Sequence, residues 1–119
     1  MGYNNQRRKR SVRFADKKLF EEYNGLKAGR SEDQRLAESI NGAMNQLLEN
    51  PELGVKIPRH LWPKEYTQEY EISNLWKCNL RQGWRLIYTI AGNQIEIVSI
   101  ILEWFPHKEY ENRFKYKVR

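Results

Sequence analysis

Residues 75–102, LWKCNLRQGWRLIYTIAGNQIEIVSIIL, decide how this chain folds. They read as three antiparallel strands joined by two tight turns. The first turn, Arg81-Gln82-Gly83, places glycine last, where a three-residue hairpin loop needs a positive φ. Gly92-Asn93 reads as a two-residue turn, since both residue types tolerate turn conformations. These turns predict that Leu80 opposes Trp84 and that Ala91 opposes Gln94, and the remaining cross-strand pairs follow by counting outward.

Side chains alternate along a strand, so one face collects Trp76, Cys78, Leu80, Trp84, Leu86, Tyr88, Ile90, Ile95, Ile97, Ser99 and Ile101. That face is almost wholly apolar and requires a cover. The other collects Leu75, Lys77, Asn79, Arg85, Ile87, Thr89, Glu96, Val98, Ile100 and Leu102. It sets Lys77, Asn79 and Arg85 together on a half-apolar floor, with Asn79 opposite Arg85. A purely structural face has no need of an arginine between isoleucines, so this cluster is the first candidate site. The plain alternative is an ordinary ion pair of Arg85 with Glu96 or Glu103.

Two amphipathic helices precede the sheet. Leu19, Phe20, Tyr23 and Leu26 form the stripe of the first, over residues 17–28, with Asp16 as N-cap and Gly29 as terminator. Ser31-Glu32-Asp33-Gln34 reads as the capping box of the second, whose stripe is Leu36, Ile40, Met44, Leu47 and Leu48, stopped by Asn50-Pro51. A short connection makes the pair an antiparallel hairpin suited to covering the apolar sheet face. Residues 12–14 suit a short edge strand. Residues 52–74, interrupted by Pro58 and Pro63, read as a packed crossover with one helical turn beginning at Pro63. Beyond Leu102 the strand signal fades and Pro106 breaks the ladder. Residues 107–114 then read as a short helix with His107 and Tyr110 on one side.

The predicted fold class is therefore α+β: a two-helix hairpin on one face of a twisted antiparallel sheet of about four strands, a short C-terminal helix, and an open face carrying Lys77 and Arg85. A chain of 119 residues is the size of one domain, here residues 12–119 preceded by a basic flexible arm over residues 1–11. The single cysteine, Cys78, falls on the covered face and excludes a disulfide framework or a thiolate metal cage. With only two histidines there is no metal-ligand cluster, and neither a metal nor a cofactor is expected. No apolar run has the length of a membrane span and no signal-type segment follows the basic start, so a cytoplasmic protein is expected.

The net charge of +6 is uneven. Residues 1–30 carry nine Lys or Arg against three acids, residues 31–104 seven against ten, and residues 105–119 five against two. Positive ends suit a polyanion or an acidic protein partner. In the arm, Arg7, Arg8, Lys9 and Arg10 can add nonspecific phosphate affinity through counterion release, or form a solvated tail with no partner.

Metal-free RNA cleavage needs an oriented phosphate, one proton removed, another donated, and stabilisation of charge building on phosphorus. Arg85 can clamp the phosphate through its planar fork and Lys77 can add a second charge. His107 has the intrinsic chemistry for proton transfer near neutral pH, and Tyr110 can assist it or stack on a base. These residues converge only if the C-terminal turn folds back beside Arg85. The bland readings are that His107 caps the last helix and that Tyr110, with Phe114, anchors it to the core.

With its helical hairpin, the stretch NLWKCNLRQGWRLIYTI, an apolar strand and a closing HKEY, the chain resembles the RelE/ParE superfamily of toxins from toxin-antitoxin systems. The resemblance covers residues 12–114, and residues 83–90, GWRLIYTI, are its most specific part. It implies a ribosome-dependent endoribonuclease that cleaves mRNA by attack of the 2′-hydroxyl, neutralised by a cognate acidic antitoxin. By position, Arg85 matches the family's phosphate-binding arginine, Lys77 a basic active-site residue, and His107 and Tyr110 C-terminal catalytic positions. Asn79 stands where some members carry a second lysine. An amide can hydrogen-bond a phosphate but cannot neutralise it, and Arg81 in the adjacent turn is the candidate to compensate. Two alternatives stay open: a ParE-like protein that poisons DNA gyrase by binding, and a noncatalytic RNA-binding relative.

Overall fold

The structure, a computed structural model, describes residues 8–114. Five strands and four helices make up its regular elements: β1 (Lys9–Phe14), α1 (Lys17–Lys27), α2 (Ser31–Glu49), β2 (Val55–Lys56), α3 (Lys64–Glu69), β3 (Trp76–Asn79), β4 (Arg85–Gly92), β5 (Glu96–Phe105) and α4 (His107–Phe114). The strands form one sheet in the order β1-β5-β4-β3-β2. The sheet is mixed, with five strands where about four antiparallel ones were expected. β1 pairs parallel with β5, and the two-residue β2 adds to the free edge of β3. The edge strand expected over residues 12–14 begins at Lys9, inside the stretch expected as an arm, because Lys9 already pairs with Glu96. Arg7 lies outside the described residues.

The first turn behaves as its residues require. Gly83 has φ +82°, Gln82 is left-handed too at +55°, and the Leu80 N–H donates to the Trp84 carbonyl at 2.7 Å. The second turn sits two residues later than expected. Gly92 pairs with Ile97, and the tip is Gln94-Ile95. The cause is Asn93, whose side-chain oxygen accepts from the N–H groups of Ile95 at 2.7 Å and Glu96 at 2.9 Å and so sets its own local turn. A slip by an even number leaves the strand side chains on their expected faces, but Ile95, expected on the covered face, sits at the turn tip and is 75% exposed.

The apolar face is covered as its composition demands. Cys78, Leu80, Leu86, Tyr88 and Ile101 are buried against Tyr23, Ala37, Ile40, Ala43 and Leu47 of the helix hairpin. Within the expected stripes, Phe20 and Leu48 instead face solvent at 47% and 40% exposure, and the small residues Ala37 and Ala43 take their place at the seam. Asp16 caps α1, accepting from the Leu19 N–H at 2.8 Å. At α2 the cap position belongs to Arg30 rather than Ser31, with Asp33 accepting from its N–H at 3.3 Å.

The second face is not open. Ile57, Tyr66 and residues from α4 close over Leu75, Ile87, Leu102 and Phe105 to make a second core. Residues 52–74 are thus the lid of this core. The crossover approaches β3 so closely that a Cβ at Gly54 would lie 2.3 Å from the Lys77 carbonyl, which restricts that position to glycine.

The strand signal does not end at Leu102. β5 continues to Phe105 by means of a bulge, since Tyr88 opposes Ile101 whereas Ile87 opposes Glu103. The extra residue puts both Leu102 and Glu103 on the second face and returns Trp104 to the helix-covered one. Asn74, two residues ahead of the first residue of β3, replaces a strand partner for β4. Its side-chain amide donates to the Ile90 carbonyl and accepts from the Ile90 N–H, each at 2.8 Å.

Candidate functional site

The site lies at the end of the sheet where β3 ends, β4 starts and β5 runs into α4. Asn79 opposes Arg85, and Arg85 opposes Phe105 on its other side. One residue after Phe105, Pro106 halts the ladder and its carbonyl accepts from the Tyr110 N–H at 3.0 Å, opening the first turn of α4. The chain therefore folds back beside Arg85, as the convergence of the four residues required.

Arg85 Nη2 lies 2.8 Å from His107 Nδ1. Its Nη1 donates to the carbonyl of Gly83 at 2.8 Å and more weakly to that of Trp84 at 3.4 Å, so the loop backbone holds the guanidinium in place. Nε of Arg85 is buried without a hydrogen-bond partner among the described residues. His107 is about half exposed, and its Nε2 lies 2.9 Å from Glu111 Oε2. Tyr110 is buried beneath the cluster, stacked on Phe114 at 4.6 Å between centroids. The Lys77 ammonium sits 4.9 Å from the centre of its ring and the Arg85 guanidinium 5.8 Å, both within cation-π range. Burial, and then the nearby Arg85 charge, pull the Lys77 pKa below its ordinary value.

Lys77, Arg85, His107 and Tyr110 thus come together. Tyr110 forms the floor of the cluster, and its buried ring presents no free face on which a base could stack. Asn79 is exposed beside Arg85. Arg81 is turned toward the helix hairpin: its backbone N–H donates to Ser39 Oγ at 3.0 Å, and the residue lines a cavity with Leu36, Trp84 and Trp104. Arg8, Lys9 and Arg10 lie at the opposite end of the sheet, beyond the whole length of β4, roughly 23 Å away at 3.3 Å per residue. There Arg8 donates to the Asn93 carbonyl at 2.8 Å and Arg10 to that of Glu49. A groove of about 1060 Å³ also opens at that end, against Tyr70, Ile72 and Ile100, and neither Arg85 nor His107 lines it.

Glu96 and Glu103, the acids weighed as partners of Arg85, are engaged elsewhere. Glu96 accepts from Ser11 Oγ at 3.0 Å. Glu103, aimed onto the second face by the bulge, accepts from the Tyr66 hydroxyl at 2.5 Å and from Arg113 Nη1 at 2.7 and 2.8 Å. Burial opposes the Arg113 charge, but hydrogen bonds to Glu103 and Glu109 outweigh it and raise the pKa. This clamp ties α3, β5 and α4 together and holds the helix that carries His107. Sequence reading missed Glu111 and Arg113, although the i, i+4 spacings His107–Glu111 and Glu109–Arg113 were visible signals. Among the described residues no group of three or more His, Cys, Asp or Glu could hold a metal ion. No helix among them is long and apolar enough to cross a membrane.

A helix hairpin on a small mixed sheet, with a cationic cluster at one end, is the α+β arrangement expected from the sequence. The family described as ParE toxin of type II toxin-antitoxin system, parDE, matches residues 14–102, three quarters of the chain, and the protein belongs to it. Membership implies a cognate antitoxin partner. Lys77 and Arg85 fall inside the matched residues, whereas His107 and Tyr110 follow them. No curated protein and no solved structure matches the chain.

Proposed function

We propose that this toxin is a ribosome-dependent endoribonuclease that cuts mRNA without a metal, using the 2′-hydroxyl as internal nucleophile. The observation that carries the reading is the 2.8 Å approach of Arg85 to His107 above the Tyr110 ring, with Lys77 on the same ring. A phosphate-binding fork, a second cation and an imidazole are then within reach of one phosphodiester. Arg85 and Lys77 stabilise the charge that develops on phosphorus, and His107 moves a proton. Asn79 hydrogen-bonds the strand beside Arg85. Arg8, Lys9 and Arg10 add phosphate affinity at the far end of the sheet. The protein acts in the cytoplasm, where an acidic antitoxin neutralises it.

A second reading is inhibition of DNA gyrase by binding, and the description of the matching family favours it. The two part in one paired assay. Purified protein is added to translating ribosomes, with mRNA integrity followed, and to gyrase, with supercoiling followed. mRNA loss with unaffected supercoiling supports the nuclease. Supercoiling loss with intact mRNA rejects it for the gyrase reading.

A further inference from the structure

The hydrogen-bonding capacity of the Arg85–His107 contact restricts the state of the imidazole. A guanidinium only donates, so Nδ1 of His107 must accept, and in this arrangement it carries no proton. The remaining ring proton is then on Nε2, where it donates to Glu111 at 2.9 Å. Both ring nitrogens of His107 are thus engaged, and Nδ1 is closed to a proton until Arg85 leaves it. The same arginine edge is incomplete. Nε and Nη2 form the parallel fork that grips two oxygens of an oxyanion, yet Nε is buried and unpartnered and Nη2 is held by the imidazole.

We propose that Arg85 and His107 form a latch that an oxyanion opens, so that anion binding and protonation of His107 are coupled. It rests on reading this cluster as the phosphate site. As Nδ1 is displaced this edge opens, and two oxygens of the incoming anion meet Nε–H and Nη2–H, giving the buried, unpartnered donor its acceptor. The freed Nδ1 takes a proton from solvent, and the imidazolium lies between the anion and Glu111. Without the anion, protonation costs the Arg85 hydrogen bond and sets imidazolium against guanidinium. Among the described residues, the charged groups facing the ring are Arg85 of β4 and Glu111 of its own helix, with Lys77 of β3 near Arg85 over the Tyr110 ring. The loop contributes Gly83, which adds no charge. The ring becomes able to donate a proton to a leaving oxygen only when a phosphate is in place, which ties its acid chemistry to substrate.

The test uses the full chain and sulfate, which takes up no proton near neutral pH. NMR of the histidine ring nitrogens follows His107 as pH is lowered, with His60 as internal control. Sulfate is expected to move the His107 midpoint upward by about one pH unit, a tenfold coupling, and to leave His60 unmoved. By reciprocity, sulfate binds about tenfold more tightly near pH 5.5 than near pH 8. His107→Gln keeps sulfate binding and loses most of that pH dependence, and Arg85→Gln abolishes the sulfate response of His107. An unmoved His107 midpoint, or equal affinity at both pH values in the wild type, overturns the latch. Failure of the nuclease reading shows separately, as intact mRNA on ribosomes, because sulfate binding requires no cleavage.

Discussion

Arg85 and Phe105 are direct cross-strand partners, and that one pairing delivers the C-terminal helix to the start of β4. Two residues beyond Phe105 comes His107, and its Nδ1 meets the guanidinium. Arg85→Ala is expected to reduce mRNA cleavage by about 10²–10³-fold, the usual cost of removing one transition-state donor. Its stability should fall by only about 1 kcal/mol, for the lost bond to the Gly83 carbonyl. Cleavage rates beside urea unfolding curves check both halves.

The ion pair of Glu103 and Arg113 anchors α4 from the side away from His107. Both side chains are about a third exposed, so Arg113→Met is expected to cost about 1–2 kcal/mol, less than a fully buried pair would. Hydrogen exchange should accelerate at the Tyr110 and Arg113 amides and stay slow at Ile40 in α2. Equal acceleration in both helices would show that the clamp serves the whole fold and not α4.

Asn74 stands in for the missing length of β3. Its amide bonds both backbone groups of Ile90, and its oxygen also accepts from Trp76 Nε1 at 3.0 Å. Asn74→Ala is expected to destabilise the protein by about 2–3 kcal/mol, because these partners lie partly buried. Asn74→Asp keeps the acceptor and loses the donor, so its denaturation midpoint should fall between those of Asn74→Ala and wild type.

High pH should unfold the protein through its buried phenols. Burial pushes Tyr88 up to about 12 and also raises Tyr23, Tyr66 and Tyr70. The native state then holds protons that the unfolded chain releases near pH 10, so stability is full below about pH 10 and falls as pH rises toward 12. Lys77, shifted the other way, opposes this trend weakly. Tyr88→Phe should flatten part of the decline in melting temperature. At neutral pH it should cost about 1–2 kcal/mol for the bonds to Pro51 and Gly54.

The parts of the fold legible in the sequence are those written in period and turn chemistry. The alternation in β3 and β4 predicted the face buried by the hairpin, and Pro106 marked the start of α4. The second turn was misplaced because Asn93 makes its own bonds, yet the two-residue slip changed no face within the strands. The bulge at Leu102 was illegible, since an extra residue leaves no periodic trace within an apolar run. With it went the roles of Glu103 and Trp104. Residues 52–74 read as a packed crossover, but the sheet face they cover did not, because Ile57 and Tyr66 act singly, from segments too short for a pattern. Lys77, Arg85, His107 and Tyr110 were legible as chemistry, and the i, i+4 spacing of Tyr110 and Phe114 also pointed to the core anchor they form, but the contact that locks the imidazole to Arg85 was not legible.

The central claim is that the Arg85–His107 cluster cuts mRNA, and mapping of 5′ ends on translating ribosomes tests it most directly. Wild-type protein should generate new mRNA ends carrying a 5′-hydroxyl, as attack by the 2′-hydroxyl requires, and Arg85→Ala and His107→Ala should generate almost none. No new ends with the wild type, or the same ends at the same rate with Arg85→Ala, would contradict the account.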